Sequence, residues 1–137
     1  MTDSFSLTQL RDSMPFAALM GIEIIEATAE LVRAELAFRE ELCTAGGLMH
    51  GGALMAFADT CGGLCAFLNL PDGARGTATI ESKTNFTRGV RGGTLMAETR
   101  PLHAGRTVIV IESEIRDQDG VLAAKVTQTQ AFNYPRA

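Results

Sequence analysis

The sequence contains no basic tract and no stripe in which aromatic and basic residues interleave, which excludes nucleic acid as a general partner. Lysine and arginine total 12 against 16 aspartates and glutamates, a net charge of −4. That balance still allows a phosphorylated ligand, because a few local arginines suffice to hold one. Cysteine is scarce and odd in number: Cys43, Cys61 and Cys65, with no C-x-x-C pair. This argues against a disulfide framework and a zinc knuckle, and fits a reducing cytoplasm. No cluster of metal-ligand residues is visible, so no metal cofactor is expected. The start, Met1-Thr2-Asp3-Ser4-Phe5, lacks the basic residues and apolar run of a secretory signal. No repeat, low-complexity segment or linker divides the chain. Its 137 residues fit one domain, 1–137, with a core large enough to need no staples.

One long run of small and apolar residues is present, Leu48 to Leu70. Its length suits a membrane span, but Asp59, His50, Asn69 and four glycines inside it argue against one. A buried helix over residues 51–68 is expected instead, apolar nearly all round and therefore covered on most sides. Upstream, Leu7, Leu10, Met14 and Phe16 recur at helical spacing, which predicts one short helix over 5–19, ended or kinked by Pro15. Ile22–Ile25 reads as a strand, and the alternation of Val32, Ala34, Leu36 and Phe38 predicts another over 31–38. Downstream, strands are expected over 77–87, 94–103, 107–116 and 121–132. A turn at Gly89–Gly93 separates the first two, and Asp117-Gln118-Asp119-Gly120 makes a hairpin turn. Strands joined by short turns imply an antiparallel sheet, and the lone apolar helix must lie across one face. The fold class is α+β, in two layers.

The central run carries the candidate chemistry. Asp59 is a carboxylate among apolar neighbours, costly unless paired, hydrogen-bonded or used. His50 stands nine residues before it. On one helix that spacing is about 13 Å, on roughly opposite sides. If both act, two chains must pool them, which favours a homodimer with composite sites. Gly51 and Gly52 open the helix, where free N–H groups and the helix dipole suit an oxyanion. Asp59 fits a general base or a nucleophile. The bland alternatives are a structural carboxylate, a non-catalytic helix-start histidine, and glycine pairs that serve turns (Gly46-Gly47) or close helix packing (Gly62-Gly63). Cys61 and Cys65, one helical turn apart, read as buried apolar groups without an activating base.

Gly47-Leu48-Met49-His50-Gly51-Gly52 followed by Ala58-Asp59 resembles the G-x-x-H-G-G…x-D pattern of hotdog-fold acyl-CoA thioesterases, most closely the phenylacetate-degradation (PaaI-like) type. The likeness runs over roughly residues 14–132. Pro15-Phe16 through Gly21-Ile22 is similar to that family's lead-in to its first strand, and Thr79 to Arg88 to its third-strand segment. The resemblance implies a long helix wrapped by an antiparallel sheet, in homodimers or homotetramers with sites shared between subunits. It implies Asp59 as the catalytic carboxylate of one subunit, with the Gly51 N–H of the other polarising the thioester carbonyl. His50 would orient the thioester or its sulfur, and Thr79 would help hold the attacking water. Thr44 stands where the family usually has an asparagine, so its hydroxyl replaces a longer amide donor. Arg88, Arg91 and Arg106 flank strands as a site for the phosphates of coenzyme A requires, Arg88 foremost. The expected activity is hydrolysis of an aryl-acetyl-, aryl- or medium-chain acyl-CoA, with coenzyme A as part of the substrate. The acyl pocket is expected between subunits, near Leu54, Met55 and Phe57. A hotdog dehydratase needs a different histidine–carboxylate motif, which is not found. A non-catalytic acyl-CoA binding protein is the alternative.

Overall fold

A computed structural model describes residues 6–137. The element order is α1 (Leu7–Asp12), α2 (Pro15–Met20), β1 (Ile22–Ala27), β2 (Val32–Ala37), a 3-10 turn (Glu40–Leu42), α3 (Gly51–Leu68), β3 (Gly76–Phe86), β4 (Thr94–Ala104), β5 (Val108–Arg116) and β6 (Leu122–Asn133). The six strands form one antiparallel sheet in the order β1-β2-β4-β5-β6-β3.

The single helix expected over 5–19 is two. Ser6 caps α1 by accepting from the Gln9 N–H, with the Gln9 side chain reaching back to the Ser6 N–H. Pro15 does not end this segment but starts α2, where its missing N–H costs nothing. The expected start at Phe5 lies outside the described residues.

Helix α3 runs over the span its composition predicts and packs against the sheet. Leu54, Phe57, Ala58, Cys61, Leu64 and Cys65 are buried there. They meet residues at alternate, inward-facing positions of the strands, among them Val32, Ala34 and Leu36 on β2 and Ile109, Ile111 and Ile115 on β5. Each large side chain so buried contributes about 1.5–3 kcal/mol. The helix is long and apolar enough to span a membrane by composition alone, yet eight of its residues are buried in this core.

Burial pushes the Cys61 thiol up to about 12 and the Cys65 thiol to about 11, so both are inert neutral groups at ordinary pH. On the same inner side, Thr99 and Ser113 share a buried hydroxyl–hydroxyl bond of 2.7 Å. Arg33, Glu98, Arg100, Glu112, Glu114, Arg116 and Lys125 instead form ion pairs across β2, β4, β5 and β6.

The Gly89–Gly93 segment is not a hairpin turn. β3 pairs only with β6, at the edge, while β4 pairs with β2 and β5. Residues 87–93 therefore cross from the edge to the middle of the sheet. The Val90 side chain is buried, its carbonyl accepts from the Met49 N–H at 2.8 Å, and the Thr87 N–H donates to Ala123. This crossing lies against the start of α3 and builds one wall of the site.

Candidate active site

The loop leading into α3 folds back on itself. Thr44 N–H donates to Leu48, and Cys43 bridges Met49. Gly46 and Gly47 sit at its tip with φ of 84° and 76°, a left-handed pair that side-chain-bearing residues rarely adopt. Arg91 holds this tip: its Nη1 donates to the Gly46 carbonyl at 3.1 Å.

His50 is the N-cap of α3. Its Nδ1 accepts from the Gly52 N–H at 2.7 Å. In the neutral ring the proton then sits on Nε2, which remains a donor. The Gly51 N–H finds no acceptor among the described residues. Gly51 is also tightly covered: a Cβ there would lie 3.1 Å from Phe86 Cζ.

Two concavities flank this first turn. One, of about 390 Å³, is lined by Thr44, Leu48, Gly51, Leu54, Phe86 and Arg88 among others. The other, of about 330 Å³, is lined by Phe16, Met20, Cys43, His50, Ala53 and Ala56 among others. The sequence-predicted Gly51, Thr44 and Arg88 thus share one pocket, and His50 faces the other. Arg88 Nε pairs with Asp117 at 3.1 Å and stays half exposed. Arg106 lies apart, beside Thr107 and Tyr134, with its carbonyl accepting from the Tyr134 hydroxyl. The three arginines are not brought together.

Asp59 is exposed on the single chain, contrary to its apolar sequence surroundings. Helical periodicity explains the difference. Phe57, Ala58, Cys61 and Gly62 turn into the core, while Met55, Asp59 and Phe67 lie on an open stripe at four- and eight-residue spacing. Phe57 is therefore core and not pocket wall, and Met55 belongs to the stripe. Gly62 and Gly63 also part ways: Gly62 faces β6, and Gly63 faces open space.

Two residues that sequence reasoning passed over hold the polar groups here. Gln128 Nε2 donates to Asp59 Oδ1 at 2.5 Å, and Gln130 Nε2 donates to Thr79 Oγ1 at 2.8 Å. Both glutamines are buried, on the inward face of β6 between Val126 and Phe132. Two polar residues at alternate positions of an otherwise apolar strand face are a readable signal. No hydrogen bond joins Thr79 to Asp59; their glutamines stand about 7 Å apart along the strand.

An antiparallel sheet wrapped on one long helix, with glycines opening that helix beside a pocket, is the hotdog arrangement of thioesterases. The chain belongs to the thioesterase superfamily, whose family model matches residues 46–124. It is similar to "Putative esterase SSO2140" of Saccharolobus solfataricus, 37% identical over 106 residues, covering 77% of this chain and 74% of that protein. The crystal structure of thioesterase HI1161 from Haemophilus influenzae is similar at a TM-score of 0.87 and 26% identity, covering 96% of this chain and 93% of that one. A "Hypothetical Thioesterase Protein with Coenzyme A" from Streptococcus pneumoniae shares the fold at a TM-score of 0.76 and 24% identity, covering 85% and 88%.

Proposed function

We propose that this protein hydrolyses acyl-CoA thioesters of the aryl-acetyl, aryl or medium-chain class, as PaaI-like thioesterases do. One observation carries the reading: α3 presents an unpaired Gly51 N–H beside a pocket at its start and an exposed carboxylate, Asp59, eight residues on. Eight residues are about 12 Å of helix. One thioester carbonyl cannot use both from the same chain, so a second copy completes each site. The open stripe of Met55, Asp59 and Phe67, with Ile80 on the edge strand β3, supplies an apolar surface for that copy.

In this arrangement the thioester carbonyl sits at the first turn of α3. The Gly51 N–H donates to its oxygen and stabilises the oxyanion, with the Thr44 hydroxyl beside it. Asp59 of the other subunit takes a proton from water as the water adds to the carbonyl carbon; alternatively its carboxylate attacks and water cleaves the resulting anhydride. On the first route the carbon–sulfur bond then breaks and coenzyme A leaves as the thiol with the proton taken from water; on the second the carbon–sulfur bond breaks and the thiol leaves as the anhydride forms, before water cleaves it. His50 Nε2–H serves to orient the thioester or its sulfur. The pocket holding Arg88 suits the phosphate-bearing side, and the apolar pocket of Phe16, Met20, Ala53 and Ala56 suits the acyl group. The Thr79 hydroxyl, held by Gln130, helps place the water. That the related streptococcal protein was solved with coenzyme A agrees with this substrate class.

Thr44 favours a second reading, a non-catalytic acyl-CoA binder, because a threonine reaches less far than an amide. Hydrolysis of a panel of aryl-acetyl, benzoyl and straight-chain CoA esters, followed by direct loss of the thioester, separates the two. Turnover supports the thioesterase; saturable binding without turnover supports the binder.

A further inference from the structure

Gln128 has a feature that packing alone does not call for. It is only 1% exposed, yet its Oε1 has no hydrogen-bond partner among the described residues. A buried acceptor left unpaired destabilises a fold, and an apolar residue of similar shape avoids that penalty. The amide's one bond is the 2.5 Å donation from Nε2 to Asp59 Oδ1. The helix makes room for it: a Cβ at Gly62 would lie 1.8 Å from Gln128 Oε1, and the nearest atoms around that position all belong to Gln128. Glycine inside a helix is itself unfavourable relative to alanine. Two costly choices, an amide in the core and a glycine in the helix, therefore meet at one contact whose only product is an oriented carboxylate.

We propose that Gln128 is a positioning residue for Asp59 and that Gly62 is the slot that admits it. This rests on the reading of Asp59 as the reacting carboxylate. The amide fixes Oδ1 and turns Oδ2 toward the open side of α3, where water and substrate approach. The facing positions of β3 (Thr77, Thr79, Ser82, Thr84, Phe86) and of β6 (Ala124, Val126, Gln128, Gln130, Phe132) carry no titratable side chain. On α3 itself, the nearby Cys61 and Cys65 thiols stay neutral below about pH 11.

The test compares wild type with Gln128→Leu, Gly62→Ala and Asp59→Asn, reading kcat and KM separately together with Tm. Gln128→Leu is expected to lose about 10–100-fold in kcat with KM little changed, and with Tm unchanged or raised. Gly62→Ala is expected to give the same kinetic change, although alanine favours the helix. In a Gln128→Ala background, Gly62→Ala is expected to add nothing. Wild-type kcat in Gln128→Leu, or a loss carried by KM alone, overturns the proposal. Should that variant not fold, wild-type kcat in Gly62→Ala overturns it equally. An active Asp59→Asn instead overturns the underlying reading of the carboxylate.

Discussion

Replacing Asp59 by asparagine keeps the side chain's shape and removes its charge and basicity. On the single chain the carboxylate is exposed and makes one hydrogen bond, from Gln128 at 2.5 Å. Asparagine Oδ1 accepts the same bond, only more weakly, because neutral hydrogen bonds have about half the strength of charge-assisted ones. The stability change is therefore expected within about 0.5 kcal/mol, as for most exposed substitutions, or about 2 °C in Tm. Catalysis suffers far more. Without a group to take the proton from water, or to attack in its place, kcat is expected to fall about 10²–10⁴-fold. Thioester loss should be measured directly by absorbance, because the free thiol of Cys43 is partly exposed and within reach of a thiol dye. Size-exclusion chromatography with light scattering and a thermal melt accompany the assay. Turnover within a few-fold of wild type refutes the role of the carboxylate. A variant that unfolds or changes oligomeric state points to a structural carboxylate instead.

Thr44→Asn, which places an amide in the pocket shared with Gly51, is expected to keep or raise kcat; loss of activity there, with Thr44→Ala unaffected, contradicts the placement of the loop. Arg88→Ala is expected to raise KM for CoA esters several-fold and to leave short acyl thioesters lacking the nucleotide unaffected, since the guanidinium has one ion-pair partner and is otherwise open. Phe57→Ala removes a fully buried ring from the helix–sheet core and is expected to cost about 3–5 kcal/mol in urea melts. The raised Cys61 and Cys65 thiols set an alkaline limit. Both stay protonated in the fold when the unfolded chain already loses the proton, near 9.0. Their contribution is complete below that value and is lost as pH rises toward about 11 for Cys65 and about 12 for Cys61. Urea midpoints are expected to fall through this window, and to fall less in a Cys61→Ala, Cys65→Ala variant.

The long helix was legible because its composition is unambiguous: small and apolar residues from Gly51, ending before the Asn69-Leu70-Pro71 break. The last four strands were legible within a residue or so of their ends, because β-branched alternation and the Asp117–Gly120 turn mark them. The pairing order was not. That β3 goes to the edge beside β6 depends on contacts far apart in sequence, and a glycine-rich crossing over 89–93 looks like a hairpin from within. Pro15 was read as a stop although it is equally suited to a helix start. At the site, His50, Gly51 and Asp59 stood out by residue type and spacing, and helix geometry alone separated them. The environment of Asp59 did not follow from its sequence neighbours, because Phe57, Ala58, Cys61 and Gly62 turn to the other side of the helix. Gln128 was missed because its partner lies 69 residues away.

Mixed dimers of His50→Ala and Asp59→Asn chains test the composite site most directly. Each parent is expected to be nearly inactive. On equal mixing about half the dimers are mixed and each regains one of two sites, so about one quarter of wild-type activity should return. Well-folded mixed dimers that stay inactive would contradict sites shared between chains.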